Sequence, residues 1–146
     1  MARKRLKASE IWISLGVAFT VAGLFVLYGI VSLRGQNRYD GLAKVLEENN
    51  LKYGYAEYWS AQVTTVLSDN KVEMCPIIVN EDGQVTKNLY NIYDEQYASR
   101  DGVDRYFAFL SAWEYETVQN TVGKDAIDVI QYDSDGYIVV FDKNIF

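Results

Sequence analysis

The run Ile11–Leu33, IWISLGVAFTVAGLFVLYGIVSL, carries no charged side chain over 23 residues. A helix on the surface of a soluble fold keeps a polar face, and this stretch has none. Rising about 1.5 Å per residue, it would span roughly 34 Å, enough to cross a hydrocarbon core of about 30 Å with some tilt. Trp12 and Tyr28 stand near its two ends, where amphipathic rings favour the lipid–water interface. The run exceeds the h-region of a cleaved signal peptide, and no A-x-A-like site follows Leu33. It reads as an uncleaved signal anchor, a single transmembrane helix over 11–33. Arg3, Lys4, Arg5 and Lys7 precede it, whereas Arg34 and Arg38 follow. The denser cluster keeps residues 1–10 in the cytoplasm, so the C-terminal domain is expected to be extracytoplasmic, on the outer side of a cell membrane. Ser14, Ala18 and Ala22 form a small-residue stripe, with a second at Gly16, Thr20 and Gly23. Such stripes allow helices to pair closely in a bilayer.

The remaining chain is different material. Residues 1–33 hold four cations and one anion, net +3, whereas residues 34–146 hold ten cations and nineteen anions, net −9. A domain of that charge repels nucleic acid, and no Lys/Arg stripe with interleaved aromatics occurs. The chain has no His and one Cys. That excludes Ser-His-Asp and Cys-His nucleophile systems, His-ligated zinc, haem, an intrachain disulfide and Cys-held clusters. No metal or cofactor is expected, and any chemistry falls to carboxylates, Lys, Tyr or Ser.

A polar stalk over 34–39 leads into a domain over 40–146. Asp40 can cap a helix reaching Asn49, with Leu42, Val45 and Leu46 on one face. In LKYGYAEYW, alternation places Tyr53, Tyr55, Glu57 and Trp59 on one side of a strand and Gly54, Ala56 and Tyr58 on the other. Ser60 can cap a second helix, Asp69-Asn70 turns the chain, and Lys71–Asn80 reads as a strand, completing a parallel βαβ unit. Pro76 marks an edge or a bulge. A turn at Glu81-Asp82-Gly83 returns a strand over Gln84–Tyr90. Arg105–Ala112 is a third core strand. Ser111-Ala112-Trp113-Glu114 is a capping box opening a helix to about Val122, with Gly123 as its left-handed terminator. Residues 126–132 and 137–142 close the domain as a hairpin about Asp133-Ser134-Asp135-Gly136. That turn resembles the start of a Ca²⁺ loop but lacks its later ligands. The expected fold is α/β: one transmembrane helix, then a small α/β layer sandwich with a mixed sheet.

Four aromatic residues fall within Tyr53–Trp59, at the end of the first parallel strand. Ligands of open α/β sheets gather at such ends, and aromatic faces with hydroxyl or N–H groups suit sugars. Tyr55, Glu57, Tyr58 and Trp59 are therefore the candidate ligand residues, weighed against a simple core role for the same rings. No catalytic residue is assigned, and Cys75 reads as a buried small hydrophobe.

The run LKYGYAEYWSAQVTTVLSDNKVEM resembles the C-terminal soluble domain of bacterial multi-pass glycosyltransferases of the protein-mannosyltransferase (GT-C) type. The matching features fall on Tyr53–Ala56, Tyr58-Trp59, Leu67-Ser68 and Lys71-Val72, and the later order of turn, strand, short helix and closing hairpin follows. The likeness covers about residues 40–146. In that family the catalytic acids lie in an early loop among membrane helices absent from this chain, so no residue here inherits a catalytic role. A Trp-containing segment expected after the 81–83 turn is replaced by Asn91-Ile92-Tyr93. The resemblance implies an accessory or split module that contacts an envelope glycan, its lipid carrier or a multi-pass glycosyltransferase. Two other readings stay open: a small carboxylate-dependent glycan-processing enzyme, and a purely structural subunit of a membrane complex.

Overall fold

The computed structural model describes residues 19–21, 23–25 and 38–146. The chain divides into two compact units, Met1–Asn37 and Arg38–Phe146. In the first, residues 19–21 and 23–25 are helical and exposed. Among the described residues no helix is long and apolar enough to cross a membrane. Most of the 11–33 span, with Ser14, Ala18 and Ala22, lies outside the described residues.

The second unit is a mixed α/β fold. Its elements are α1 (Arg38–Glu48), β1 (Tyr53–Ala56), α2 (Tyr58–Leu67), β2 (Glu73–Val79), β3 (Val85–Lys87), a 3₁₀ turn (Asp94–Tyr97), β4 (Tyr106–Ser111), α3 (Ala112–Val118), a second 3₁₀ turn (Val122–Asp125), β5 (Asp128–Gln131) and β6 (Gly136–Phe141). Six strands form one sheet in the order β3-β2-β1-β4-β6-β5. β1 lies parallel to both β2 and β4, and the outer pairings are antiparallel. All four residues of β1 are buried, as expected of a central parallel strand covered on both faces.

The two faces bury different material. Beneath α1 and α2 lie Ala56, Met74, Phe107, Phe109, Ile138 and Val140, meeting Leu42 and Leu46 of α1 and Ala61 of α2. The opposite face carries Tyr53, Tyr55, Tyr106, Ile77, Val139 and Phe141, covered by Tyr97, Val118 and partly buried Ile92 and Ile145. Tyr53 and Tyr55 thus share one side of β1, with Gly54 and Ala56 on the other. Gly54 is required by close approach, because a Cβ there would sit 2.6 Å from the Phe107 ring.

Local capping differs from expectation at four points. α1 begins at Arg38, so Arg38 and Tyr39 belong to the helix and not to a stalk, and Asp40 lies in the first turn. There its charge complements the helix dipole. The N-cap of α2 is Glu57, whose carboxylate accepts from the Ser60 backbone N–H at 3.2 Å. The β1 strand therefore stops at Ala56, and Glu57 and Trp59 leave the Tyr53/Tyr55 side. The Ser111/Glu114 capping box is formed in both directions, yet α3 ends at Val118. Gly123 sits inside the second 3₁₀ turn, where a Cβ would lie 2.8 Å from the Val118 carbonyl oxygen. Finally, β3 keeps only three residues of the expected Gln84–Tyr90 strand.

Candidate functional site

The four predicted ligand residues separate. Tyr55 is 0% exposed; its ring stacks with Tyr97 at 6.4 Å and its hydroxyl donates to Asn144 Oδ1 at 2.5 Å. It is a core residue, because the segment around Tyr97 and the chain end near Phe146 cover that face. Glu57 is exposed but its carboxylate is committed to the α2 cap. Tyr58 and Trp59 lie in the first turn of α2, with Trp59 67% exposed.

Their surroundings form a groove. The Tyr58 ring meets Trp59 edge-on at 5.3 Å and Tyr90 at 5.6 Å. Tyr90 comes from the segment after β3, so this chain of rings joins the start of α2 to that segment. Nearby, with Asn91 next in the chain to Tyr90 in its lining, opens a cavity of about 380 Å³. Gln62 and Thr65 of α2 form one wall, Asn91, Ile92 and Gln96 the other, and Glu73, Met74 and Cys75 of β2 the floor. Gln62 stands three residues after Trp59, hence on the same helix face. Tyr90 and Tyr93 are exposed beside Asn91.

The opening exists because β3 pairs only with Ile77–Val79, leaving the first half of β2 without a strand on its outer side. That edge is closed to another strand. The Met74 N–H donates to Thr65 Oγ1 at 3.0 Å, Pro76 has no N–H, and the Pro76 carbonyl accepts from Asn88 N and the Tyr97 hydroxyl. These are the ordinary defences of an exposed edge. Asn91 holds a left-handed φ of 57° and Asn70 one of 60°, which turn the chain at opposite ends of the groove.

Electrostatically the groove is nearly neutral and rich in amides. Glu73 faces Arg100 at 3.8 Å. The Arg100 guanidinium also lies 5.0 Å over the Tyr53 ring. Under the floor, Tyr53 donates to the Gln96 carbonyl, and Cys75 Sγ lies 3.1 Å from the Tyr53 hydroxyl. Burial pushes the Cys75 thiol pKa upward, which keeps it protonated and a poor nucleophile. Burial likewise raises the hydroxyls of Tyr53 and Tyr55, and that of Tyr97 to about 12.

The crevice favoured by open α/β sheets is occupied differently. The connections leaving β1 and β4 depart in opposite directions, making their carboxyl ends a switch point. Both helix N-termini there are satisfied by the protein's own carboxylates, Glu57 and Glu114. In the β5–β6 hairpin, the Asp133 carboxylate is held by Arg38 at 2.8 Å and by the Asp135 N–H at 2.9 Å. Among the described residues no group of three His, Cys, Asp or Glu could hold a metal ion.

No family model, no curated protein and no solved structure matches this chain. An amide both donates and accepts hydrogen bonds, as a sugar hydroxyl does. Sequence reasoning reached Tyr58 and Trp59 but missed Gln62, Asn70, Glu73, Gln96 and Arg100, which come from segments with no shared pattern. Asn91-Ile92, noted in the sequence as a replacement, forms part of the wall.

Proposed function

We propose that this chain is a membrane-anchored, non-catalytic module that recognises a cell-envelope saccharide through the groove that α2 and residues 91–96 form over β2. The observation that carries this reading is an amide-lined cavity beside a cluster of rings, exposed Trp59 and Tyr90 with half-buried Tyr58 between them. Rings cover the apolar C–H faces of a sugar while amides exchange hydrogen bonds with its hydroxyls. The uncharged 11–33 stretch supplies the anchor, and the likeness to the outer domain of multi-pass glycosyltransferases supports work beside such an enzyme. Hydrolysis by paired carboxylates needs two acids across one cleft, and this groove holds only Glu73.

A second reading rests on α2 itself. The helix contains no charged residue and exposes Trp59 and Val66, so it could pack against a membrane subunit instead. A glycan array probed with the full-length protein in nanodiscs separates the two. The first predicts retention of a defined class of envelope glycans, weakened about fivefold or more by Trp59→Ala or Tyr90→Ala. Retention of no glycan, together with a co-purifying multi-pass protein lost in Val66→Lys, would favour the second.

A further inference from the structure

The cations of the outer unit are few and unevenly spread. Residues 38–146 hold nine Lys and Arg against nineteen Asp and Glu. Three of the nine, Lys52, Lys71 and Arg100, nevertheless line a single cavity of about 270 Å³. Glu73 is the one acid in that lining and Glu47 pairs with Lys71 beside it, so the cavity carries a local charge of +1 inside a strongly negative domain. Asn70, Glu73 and Arg100 line both this cavity and the groove, so the two spaces adjoin across those residues.

Structural duties account for two of these cations. Lys71 pairs with Glu47 at 3.2 Å, and Arg100 pairs with Glu73 and covers Tyr53. Lys52 has no ion-pair partner among the described residues. It is exposed and lines both this cavity and a smaller one beside Asp104 and Arg105. Glu73 reaches Arg100 through one nitrogen, and a guanidinium has five donors. With Lys71 and Arg100 each paired, Lys52 leaves one uncompensated positive charge at this concavity, and low-dielectric walls focus its field outward.

We propose that this cavity binds an anionic group, a carboxylate or a phosphate monoester, carried by the saccharide that occupies the adjoining groove. The inference rests on the saccharide reading above. The sugar ring lies against the amides, and its acidic substituent reaches past Asn70 toward Lys52, Lys71 and Arg100. The site therefore selects acidic over neutral sugars.

The test is calorimetric titration of the full-length protein in zwitterionic micelles. Four probes are compared: glucose 1-phosphate, a glucuronic-acid disaccharide, the matching neutral glucose disaccharide, and inorganic phosphate. The expected result is about tenfold tighter binding of at least one acidic sugar than of the neutral one, fading as salt is raised. The phosphate and carboxylate arms identify which anion is read. Lys52→Glu should erase the preference, Lys52→Arg should keep it, and neither should alter neutral-sugar binding; Lys71→Gln provides a second variant. Equal affinity for acidic and neutral sugars, or a preference that survives both charge variants, overturns the anion site and leaves the saccharide reading standing. Failure of every sugar to bind overturns both.

Discussion

Thr64 Oγ1, on the buried side of α2, has no hydrogen-bond partner among the described residues. An unpaired buried hydroxyl costs about 1–3 kcal/mol of desolvation. Thr64→Val keeps the shape and removes that cost, so it should stabilise the protein by about 1 kcal/mol in chemical denaturation. The buried tyrosines make a second prediction at this scale. Burial lifts the ionisation of Tyr53, Tyr55 and Tyr97 above the ordinary value of 10.0. A raised folded-state pKa favours the protonated form in the fold. Its stabilising share is complete below the unfolded value and is lost as pH rises through the folded one. Stability should therefore decline from about pH 10 upward, with each such tyrosine contributing up to about 1.4 kcal/mol per pH unit. Thermal melts between pH 9 and 12, followed with tyrosinate absorbance, check this. The buried tyrosines should ionise only with unfolding.

At the scale of elements, short-range chemistry was legible where both halves of a motif are local. The Ser111/Glu114 box forms as expected, with the Ser111 N–H and hydroxyl each 2.8 Å from Glu114 Oε2. Ser111→Ala should cost about 1 kcal/mol and loosen α3 first, as read by amide exchange. The end of that helix was not legible, because Gly123 is set by close packing on Val118 and not by a left-handed backbone. The face assignment of Tyr53 and Tyr55 followed from the period of two. Whether that face would be covered did not, since its lid is Tyr97, Ile145 and Phe146, segments without periodicity. Gly54 illustrates the same limit: nothing local announces Phe107 across the β1–β4 pair. Gly54→Ala should destabilise by roughly 1–3 kcal/mol through overpacking.

At the scale of the whole molecule, a clasp ties the start of the α/β domain to its end. Arg38 pairs with Asp133 at 2.8 Å, lies 5.3 Å from the Phe109 ring centre, and offers its carbonyl to the Tyr132 hydroxyl. Arg38 lies 95 residues from Asp133, so the contact joins the first helix to the last hairpin. Asp133→Ala should weaken that junction by at most about 1 kcal/mol, since the pair is half exposed, and raise amide exchange in α1. The groove draws on equally distant segments: one wall from α2, the other from residues 91–96, and the floor from β2. Of the residues near it, only Tyr58 and Trp59 advertised themselves in the sequence.

The most direct measurement uses the indole nearest the groove in sequence, Trp59. With Trp12→Phe and Trp113→Phe, Trp59 is the only indole left of the three in the chain. Titrating this full-length protein in nanodiscs with the glycans retained on the array should shift Trp59 emission in a saturable manner. The same titration of Gln62→Ala should need about fivefold more glycan or more. An emission unchanged through saturating glycan would contradict the assignment of this groove as the binding site.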